Sequence, residues 1–439
     1  MPDAADIRFK VAPGGKLAGQ LRVPGDKSIS HRSIMLGSLA EGKTQVSGFL
    51  EGEDSLATLS AFRAMGVTIN GPDSGKVEIA GVGLRGLQAP AEALYLGNAG
   101  TSMRLMSGLL AGQSFSTTLT GDTSLSGRPM KRVTGPLVSM GAHIETTNTW
   151  TAPLQIHGGE TLTGIEYNMP VASAQVKSSL LLAGLYAEGR TCVSEPAPTR
   201  DHTERMLNGM GYPVEREGNR VCIEGGHRLS GITIDVPADI SSAAFFLVGA
   251  SIASGSDLLL KHVGMNPTRT GIIDILQRMG ADITVMNARD VGGEPVADLQ
   301  VKSAPLRGID IPPELVPLAI DEFPVIFVAA ACAQGRTVLT GAEELRVKES
   351  DRIQVMADGL QTLGIDAQPT PDGMIINAGT IASGCVDSHG DHRIAMAFSM
   401  AALCAQGDIE ITNCANVNTS FPGFVEQASR VGLNIESVS

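Results

Sequence analysis

The feature that most constrains the fold of this chain is a helix-like segment that ends in Gly and leads into a strand-like stretch. Six copies occur, as in LSAFRAMGVTI and IDILQRMGADI. They end at Gly66, Gly141, Gly211, Gly280, Gly364 and Gly432. The spacings are 75, 70, 69, 84 and 68 residues, close to one sixth of the chain, about 73 residues. This period indicates six similar structural units.

A second element recurs with the same period. It consists of a polar turn, a helix rich in Ala and Leu, a Gly and a β-branched strand, as in GDKSISHRSIMLGSLAEGKTQV. The helix starts are marked by Asp26, Asn98, Ser173, Asp239, Asp321 and Asp391. Short polar side chains of these types cap helices, although Pro324 predicts a different place for Asp321. Because the helices are apolar on nearly all sides, we expect them to be buried.

The two interleaved series predict an α/β fold made of two similar domains, each with three repeated βαβ-type units. The motif VPGD at 23–26 returns as VPAD at 236–239, 213 residues later. We interpret these two strands as the crossings between domains. The prediction is a discontinuous domain of residues 1–22 and 238–439, and an inserted domain of residues 23–237. A repeat array that serves only as a scaffold is the alternative.

Composition limits the partners of the chain. The formal net charge is −13, which argues against general affinity for nucleic acid or anionic membranes. The six Cys residues lack metal-ligand spacing, so we expect reduced, buried thiols and no metal. The N-terminus lacks a signal-peptide pattern, and the longest apolar run, residues 243–253, is too short to span a bilayer. These features predict a cytoplasmic protein.

Basic residues collect at the predicted helix starts. They are Lys27, Arg32, Arg104, Arg128, Lys131, Arg132, Arg200, Arg269, Lys348, Arg352 and Arg393. Cations at helix N-termini oppose the helix dipole, and a bound anion would compensate that cost. The pattern therefore predicts a positive pocket for a ligand with several anionic groups, and solvated helix starts are the alternative. Asp321 and Glu349 stand among these cations as candidate proton-transfer groups.

Several stretches together resemble one known family. They are GDKSISHR, LGNAGTSMR, SGRPM, SAQVKS, IDEFPV, LRVKESDRI, GDHRIAM and TSFPGF, and they span the chain from end to end. The family is that of 5-enolpyruvylshikimate-3-phosphate (EPSP) synthase. The resemblance implies the enolpyruvyl transferase fold, an active site in the cleft between two domains, and no metal or organic cofactor. It also implies small-molecule substrates. We expect the chain to be a monomer.

The resemblance implies transfer of the enolpyruvyl group from phosphoenolpyruvate to the 5-hydroxyl of shikimate-3-phosphate, with release of phosphate. The residues expected to bind shikimate-3-phosphate are Lys27, Ser28, Arg32, Ser173, Ala174, Gln175, Arg200, Asp321 and Lys348. Those expected to bind phosphoenolpyruvate are Lys27, Asn98, Gly100, Arg128, Gln175, Glu349, Arg352 and Arg393. Asp321 would accept the proton of the attacking hydroxyl. Glu349, with Lys27, would protonate the methylene carbon.

Two positions qualify the resemblance. Many family members carry a Lys before the TFP-like motif, whereas this chain has Thr419 there. GDKS, RDHTE, SAQVK and NPTR resemble a branch that includes glyphosate-tolerant enzymes, but the Ala associated with tolerance is Gly100 here. The resemblance therefore implies inhibition by glyphosate in competition with phosphoenolpyruvate.

The sister enzyme that acts on UDP-N-acetylglucosamine is an alternative identity, since it shares the six-unit architecture. It usually carries a Cys in the loop before its RP pair, whereas the loop TGDTSLSGRPM has none.

His31, His202 and His392 lie beside helix-start cations, and we interpret them as packing residues.

Overall fold

The computed structural model describes residues 7–438. The chain divides into two compact units. Within the described residues, unit 1 comprises 7–24, Pro237–Asp290 and 294–438, and unit 2 comprises Gly25–Val236 and Val291–Gly293. No helix within the described residues has both the length and the apolar character that crossing a bilayer requires.

Helices dominate the interior of both units. The α-helices are α1 (Lys27–Leu39), α2 (Glu53–Ala64), α3 (Gly100–Ala111), α4 (Thr123–Ser126), α5 (Lys131–Ser139), α6 (Ala174–Gly184), α7 (His202–Gly209), α8 (Ile240–Ile252), α9 (Gly271–Arg278), α10 (Phe323–Cys332), α11 (Arg352–Thr362), α12 (His392–Ala401) and α13 (Phe424–Val431). Short 3-10 helices lie at Pro313–Leu315, Glu343–Val347, Ala402–Cys404 and Ala415–Thr419.

The strands are short and contributed by all parts of the chain. They are β1 (Arg8–Val11), β2 (Ala18–Leu21), β3 (Glu41–Ser47), β4 (Thr68–Asp73), β5 (Lys76–Val82), β6 (Leu94–Tyr95), β7 (Thr117–Thr120), β8 (His143–Glu145), β9 (Leu154–His157), β10 (Glu166–Asn168), β11 (Arg190–Ser194), β12 (Glu215–Glu217), β13 (Arg220–Glu224), β14 (Thr233–Asp235), β15 (Asp257–Gly264), β16 (Asp282–Val291), β17 (Glu294–Lys302), β18 (Arg336–Leu339), β19 (Asp366–Thr370), β20 (Gly373–Asn377), β21 (Gly384–Asp387), β22 (Ile409–Thr412) and β23 (Ile435–Val438).

One sheet topology repeats throughout the described chain. Unit 2 holds sheets of order β14-β3-β5-β4, β6-β7-β9-β8 and β10-β11-β13-β12, and unit 1 holds β16-β17-β15-β2, β18-β20-β19 and β21-β22-β1-β23. Each four-stranded sheet has one parallel pair at an edge. In the three-stranded sheet, a parallel bridge between Asp310 and Val338 takes that place. The recurrence confirms the predicted three-unit repeat in an α/β fold.

The six recurring glycines end helices α2, α5, α7, α9, α11 and α13. All six have positive φ, between 83° and 116°. A Cβ disfavours this left-handed conformation, which explains why Gly recurs at the same place in each unit. The first repeat series is thus a series of helix ends.

The second repeat series forms the helical cores. Helices α1, α3 and α6 contribute to the core of unit 2, and α8, α10 and α12 to that of unit 1. Nearly every residue of α8 is buried, from Ile240 to Ser251. Because these helices are buried on all sides, their sequences have no polar face.

Two details differ from the sequence predictions. Cys192 and Cys222 form a disulfide, so the prediction of six reduced thiols is wrong. These residues face each other on the antiparallel strands β11 and β13, 30 positions apart in sequence. Among the other cysteines, Cys385 is exposed. Asn98 was also predicted as a helix cap, but α3 begins after Ala99 and the Asn98 side chain has other partners.

Candidate functional site

The predicted site residues of unit 2 start with α1. The Asp26 side chain accepts a hydrogen bond from the Ile29 amide at 2.9 Å and caps the helix. Lys27 pairs with the carboxylate of Asp54, which is buried. The sequence predicted a bound anion near Lys27. In the structure the Asp54 carboxylate supplies that negative charge.

Arg32 lies one turn further along α1 and is buried. Its guanidinium donates to the Ser28 carbonyl at 2.9 Å, to Thr203 Oγ1 at 2.7 Å and to Ser178 Oγ at 2.9 Å. These bonds join α1 to α6 and α7. They fix the guanidinium beside Ser28, so a phosphate bound there would meet a cation already held in place.

The start of α3 forms a second part of the candidate site. Arg128 donates to Asn98 Oδ1 at 2.6 Å and to Ser124 Oγ at 3.1 Å. The Asn98 amide donates in turn to Asp122 at 2.8 Å. A Cβ at Gly100 would lie 3.0 Å from Arg128 Nη1 and 3.3 Å from the Arg104 guanidinium. Gly at this position therefore lets two guanidinium groups approach the helix start.

The start of α6 continues this cluster. Ser173 caps the helix by accepting from the Val176 amide at 3.4 Å. Gln175 accepts from Arg104 at 2.5 Å and donates to Thr101 at 3.0 Å. Arg104 was named in the sequence only as a helix-start cation, and its contact with Gln175 adds it to the candidate site. Its position four residues after Gly100, on the same helix face, is the signal that could have indicated this role.

A buried ion cluster supports these elements from within unit 2. Lys177 has no exposed surface and lies 3.0 Å from Glu195 and 2.7 Å from Glu204. Arg216 lies 3.0 Å from Glu195. Arg200 is half-buried in the loop between Glu195 and Glu204. The cluster therefore ties both ends of the Arg200 loop to α6.

His31 is buried behind the cations of α1. Its Nδ1 lies 2.8 Å from Thr58 Oγ1. Burial, followed by the charges of Lys27 and Arg32, lowers the pKa of His31 well below its usual value. The ring is therefore neutral at physiological pH, in agreement with a packing role.

The predicted residues of unit 1 meet around Arg352, a side chain with no exposed surface. Its guanidinium lies 2.8 Å from Asp391, 2.6 Å from Glu349 and 3.4 Å from Asp321. Burial by itself lowers the pKa of Arg352, but Asp391 and Glu349 outweigh burial and raise it. The two carboxylates predicted to move protons thus share one cation.

Lys348 lies at the edge of this cluster. Its Nζ is 3.5 Å from Asp321 Oδ1 and 2.8 Å from Glu344. Burial lowers the pKa of Lys348, and Arg352 lowers it further, against the opposing effect of Glu344. The protonated amine consequently loses its proton more readily than a solvated lysine would.

Arg393 approaches the same cluster from the start of α12. Its Nη1 donates to the Asp321 carbonyl at 3.2 Å and lies 3.8 Å from Glu322. Burial, followed by the charge of Arg352, lowers the pKa of Arg393. Arg269 forms a neighbouring contact with Asp239 at 3.1 Å. These contacts place the helix-start cations of α11 and α12 beside carboxylates.

The predicted site residues therefore form two groups, one within each unit. The sequence predicted that the helix-start cations would need a bound anion. The structure instead gives Lys27, Arg269, Lys348 and Arg352 carboxylate partners from the chain itself. Arg128 is held by neutral groups. The Arg128 guanidinium is therefore a candidate to bind an incoming anion.

Two further positions bear on the site. Thr419 is buried, and its hydroxyl donates to the Asn416 carbonyl at 2.7 Å, so it does not replace a long cationic side chain.

A cavity of about 820 Å³ in unit 2 lies next to the carboxyl ends of α1 and α6, and none of the predicted site residues lines it. Cavity size thus does not locate the site.

The model of the family described as EPSP synthase (3-phosphoshikimate 1-carboxyvinyltransferase) matches residues 11–428. The chain belongs to the EPSP synthase family. It is 70% identical over 431 residues to the 3-phosphoshikimate 1-carboxyvinyltransferase of Methylococcus capsulatus, covering 98% of this chain and 99% of that protein. It is 72% identical over 428 residues to the protein of the same name from Alkalilimnicola ehrlichii, covering 97% and 96% of the two chains.

Solved structures agree with this membership. EPSP synthase from Acinetobacter baumannii superposes with a TM-score of 0.90 at 59% identity, covering 99% of this chain and 100% of that one. The enolpyruvyl transferase NikO from Streptomyces tendae gives a TM-score of 0.81 at 16% identity, covering 99% of each chain. The second likeness shows the fold alone. Together these findings confirm the predicted EPSP synthase family and the enolpyruvyl transferase fold.

Proposed function

We propose that this chain transfers the enolpyruvyl group of phosphoenolpyruvate to the 5-hydroxyl of shikimate-3-phosphate and releases phosphate. The observation that carries the proposal is the shared contact of Asp321 and Glu349 with one buried cation, Arg352. Two carboxylates beside fixed positive charge suit a reaction that moves protons between anionic substrates. Membership of the EPSP synthase family supports the choice of substrates.

In this proposal, shikimate-3-phosphate is bound by Lys27, Ser28, Arg32, Ser173, Ala174, Gln175, Arg200, Asp321 and Lys348. The hydrogen bonds that hold Arg32 support its role, because a preorganised guanidinium binds phosphate without first losing side-chain freedom. Ser173 is the N-cap of α6, and the amides at a helix start favour an anion.

Phosphoenolpyruvate is bound by Lys27, Asn98, Gly100, Arg128, Gln175, Glu349, Arg352 and Arg393 in the same proposal. The contact of Arg128 with Asn98 supports the pairing of these two residues. Arg104, which donates to Gln175, positions that amide. Planar guanidinium groups match the geometry of carboxylate and phosphate.

The reaction proceeds by addition and elimination. Glu349, assisted by Lys27, gives a proton to the methylene carbon, and positive charge develops on the adjacent carbon. The 5-hydroxyl attacks that carbon while Asp321 takes its proton, which forms a tetrahedral ketal. In the elimination, Glu349 takes a proton back from the methyl group, Asp321 returns its proton to the leaving phosphate, and cleavage of the carbon–oxygen bond to phosphate gives the enol ether. The fixed cations stabilise the anionic groups without reorganising during these steps.

Measurement of phosphate release tests this proposal. The protein is incubated with phosphoenolpyruvate and either shikimate-3-phosphate or UDP-N-acetylglucosamine, and release is expected only with the first acceptor. Asp321→Asn and Glu349→Gln should each lower kcat by about 10²–10⁴-fold. The exposed Asp358, also in unit 1, provides the matched control Asp358→Asn. Release with the UDP-sugar alone, or full activity of both variants, would refute the assignment.

Location and assembly complete the proposal. We infer a cytoplasmic monomer that uses no cofactor and binds neither nucleic acid nor membrane. The net charge of −13 supports the last part, because it disfavours polyanionic partners. Light scattering after size-exclusion chromatography tests the monomer, and a mass of twice 45.6 kDa would contradict it.

A further inference from the structure

A cluster of three potential metal ligands lies on the sheet β6-β7-β9-β8 of unit 2. Its members are His143, Glu145 and His157. Among residues 7–438, these three side chains form a group whose potential ligand atoms are close enough to share one ion. None of the proposed substrate-binding residues lies on β8 or β9, so the cluster is separate from the candidate site.

Strand register explains why the three side chains meet. His143 on β8 is directly opposite His157 on the antiparallel strand β9. Glu145 is two residues after His143, and side chains two apart on a strand share a face. The alternating residue, Ile144, lies opposite Ile156, which is buried in the core of unit 2. The sheet therefore presents all three ligands on its outer face.

The spacing of the ligand atoms suits a single ion. Glu145 Oε1 lies 3.1 Å from His157 Nε2 and 3.7 Å from His143 Nε2. The three ligand atoms all lie within 4.8 Å of one another. Tetrahedral Zn²⁺ with bonds of about 2.0–2.1 Å separates its ligand atoms by about 3.4 Å. The observed distances bracket this value, so small side-chain rotations would complete the geometry.

The donor set indicates the class of ion. Two imidazoles and one carboxylate favour borderline cations such as Zn²⁺ over Mg²⁺ or Ca²⁺, which prefer oxygen ligands. The two rings stack with centroids 4.1 Å apart, so both nitrogens approach from one side of the sheet. His143 and Glu145 are exposed and His157 is half-buried, which leaves water access to the remaining coordination positions.

We propose that His143, Glu145 and His157 form a surface site for a divalent transition-metal cation, and that the physiological ion is Zn²⁺. The bound ion links β8 to β9 and stabilises this pair of strands. The sequence predicted no metal, since its cysteines lack metal-ligand spacing and the resemblance implies no metal cofactor, so this site differs from that expectation. The proposed transferase reaction does not use this ion, so the two proposals stand or fall separately.

Calorimetric titration with Zn²⁺ tests the site. Because thiolates are Zn²⁺ ligands and Cys385 is exposed, the titration uses the full chain with Cys385→Ser. We expect one equivalent of Zn²⁺ to bind and the thermal unfolding midpoint to rise. Adding His143→Gln with His157→Gln should remove both effects, and Glu145→Gln should weaken binding about tenfold or more.

Matched controls make the outcome decisive. His227 is an exposed histidine of unit 2 outside the cluster, so His227→Gln should bind Zn²⁺ like its parent. Mg²⁺ should give no saturable heat at the same concentration. Phosphate release by the double histidine variant should equal that of its parent, which would also show that it folds. The proposal is overturned if the parent binds no Zn²⁺, or if the double variant binds it equally well.

Discussion

Replacing Asp391 by Asn tests how the Arg352 cluster is held together. Asp391 is fully buried, and it accepts from Arg352 at 2.8 and 3.3 Å and from Ser350 at 3.1 Å. It also caps α12 by accepting from the Arg393 amide at 2.9 Å. Asn keeps the shape and one acceptor but removes the charge that faces a buried guanidinium.

The expected cost follows from these contacts. Removing one partner of a buried ion pair destabilises a protein by about 3–5 kcal/mol. Glu349 and Asp321 remain as partners of Arg352, and Asn keeps a capping oxygen, so we expect the lower end, about 3 kcal/mol. The control Asp358→Asn changes an exposed carboxylate on α11 and should cost less than about 0.5 kcal/mol.

The measurement must report on unit 1. Trp150 and all four Tyr residues belong to unit 2, so aromatic fluorescence does not follow the Arg352 cluster. Hydrogen exchange read by mass spectrometry resolves peptides of α11 and α12, with α1 and α3 as the internal reference. Protection of α11 and α12 should fall in Asp391→Asn, whereas that of α1 and α3 should change less.

The pH dependence gives an independent check. Burial by itself raises the pKa of Asp391, but the charge of Arg352 outweighs it, and the net pKa is lowered. Its contribution to stability is therefore complete above the unfolded-state pKa of about 3.9. It is lost as the pH falls through the lower folded-state pKa. The wild-type advantage over Asp391→Asn should be constant from pH 7 to pH 5 and shrink below about pH 4. An advantage below about 1 kcal/mol, or one unchanged at pH 3, would refute the reasoning.

Three further substitutions test other parts of the structure. Gly100→Ala places a Cβ 3.0 Å from Arg128 Nη1, so we expect KM for phosphoenolpyruvate to rise about tenfold. Glyphosate, titrated in the same phosphate-release assay, should inhibit the variant less, and unchanged sensitivity would contradict this. Lys177→Met removes the ammonium group that lies between Glu195 and Glu204 and leaves Arg216, 3.7 Å from Glu204, as the nearby cation. Urea unfolding followed by Trp150 fluorescence should show a loss of about 3 kcal/mol, the lower end for a broken buried pair. Gly66→Ala puts a Cβ on a residue whose φ is 85°, a conformation that a Cβ disfavours. The same unfolding measurement should show a loss of about 1–2 kcal/mol of stability. An unchanged stability would contradict the role of Gly66 at the helix end.

Much of the candidate site could be predicted because its residues lie in recognisable local motifs. Asp26, Ser173 and Asp391 cap the helices that the sequence assigned to them. Asn98 does not, because Asp122 and Arg128 bind its side chain. Those partners lie 24 and 30 residues away, and no local pattern indicates them. The role of each proposed site residue in binding or catalysis stays a prediction.

The sequence by itself determined the six-unit repeat, because the same motifs recur about 73 residues apart. It also determined the helix boundaries near the glycines and the buried helices, because these features depend on backbone conformation and periodicity within about ten residues. Only the tertiary structure decided which charges neutralise each other. The pairing of Lys177 with Glu195 and Glu204, and the meeting of His143 with His157, depend on strand register and helix packing. His143 and His157 are 14 residues apart, and Lys177 lies 18 and 27 residues before its two partners. Patterns within a single helix or strand do not specify such pairs.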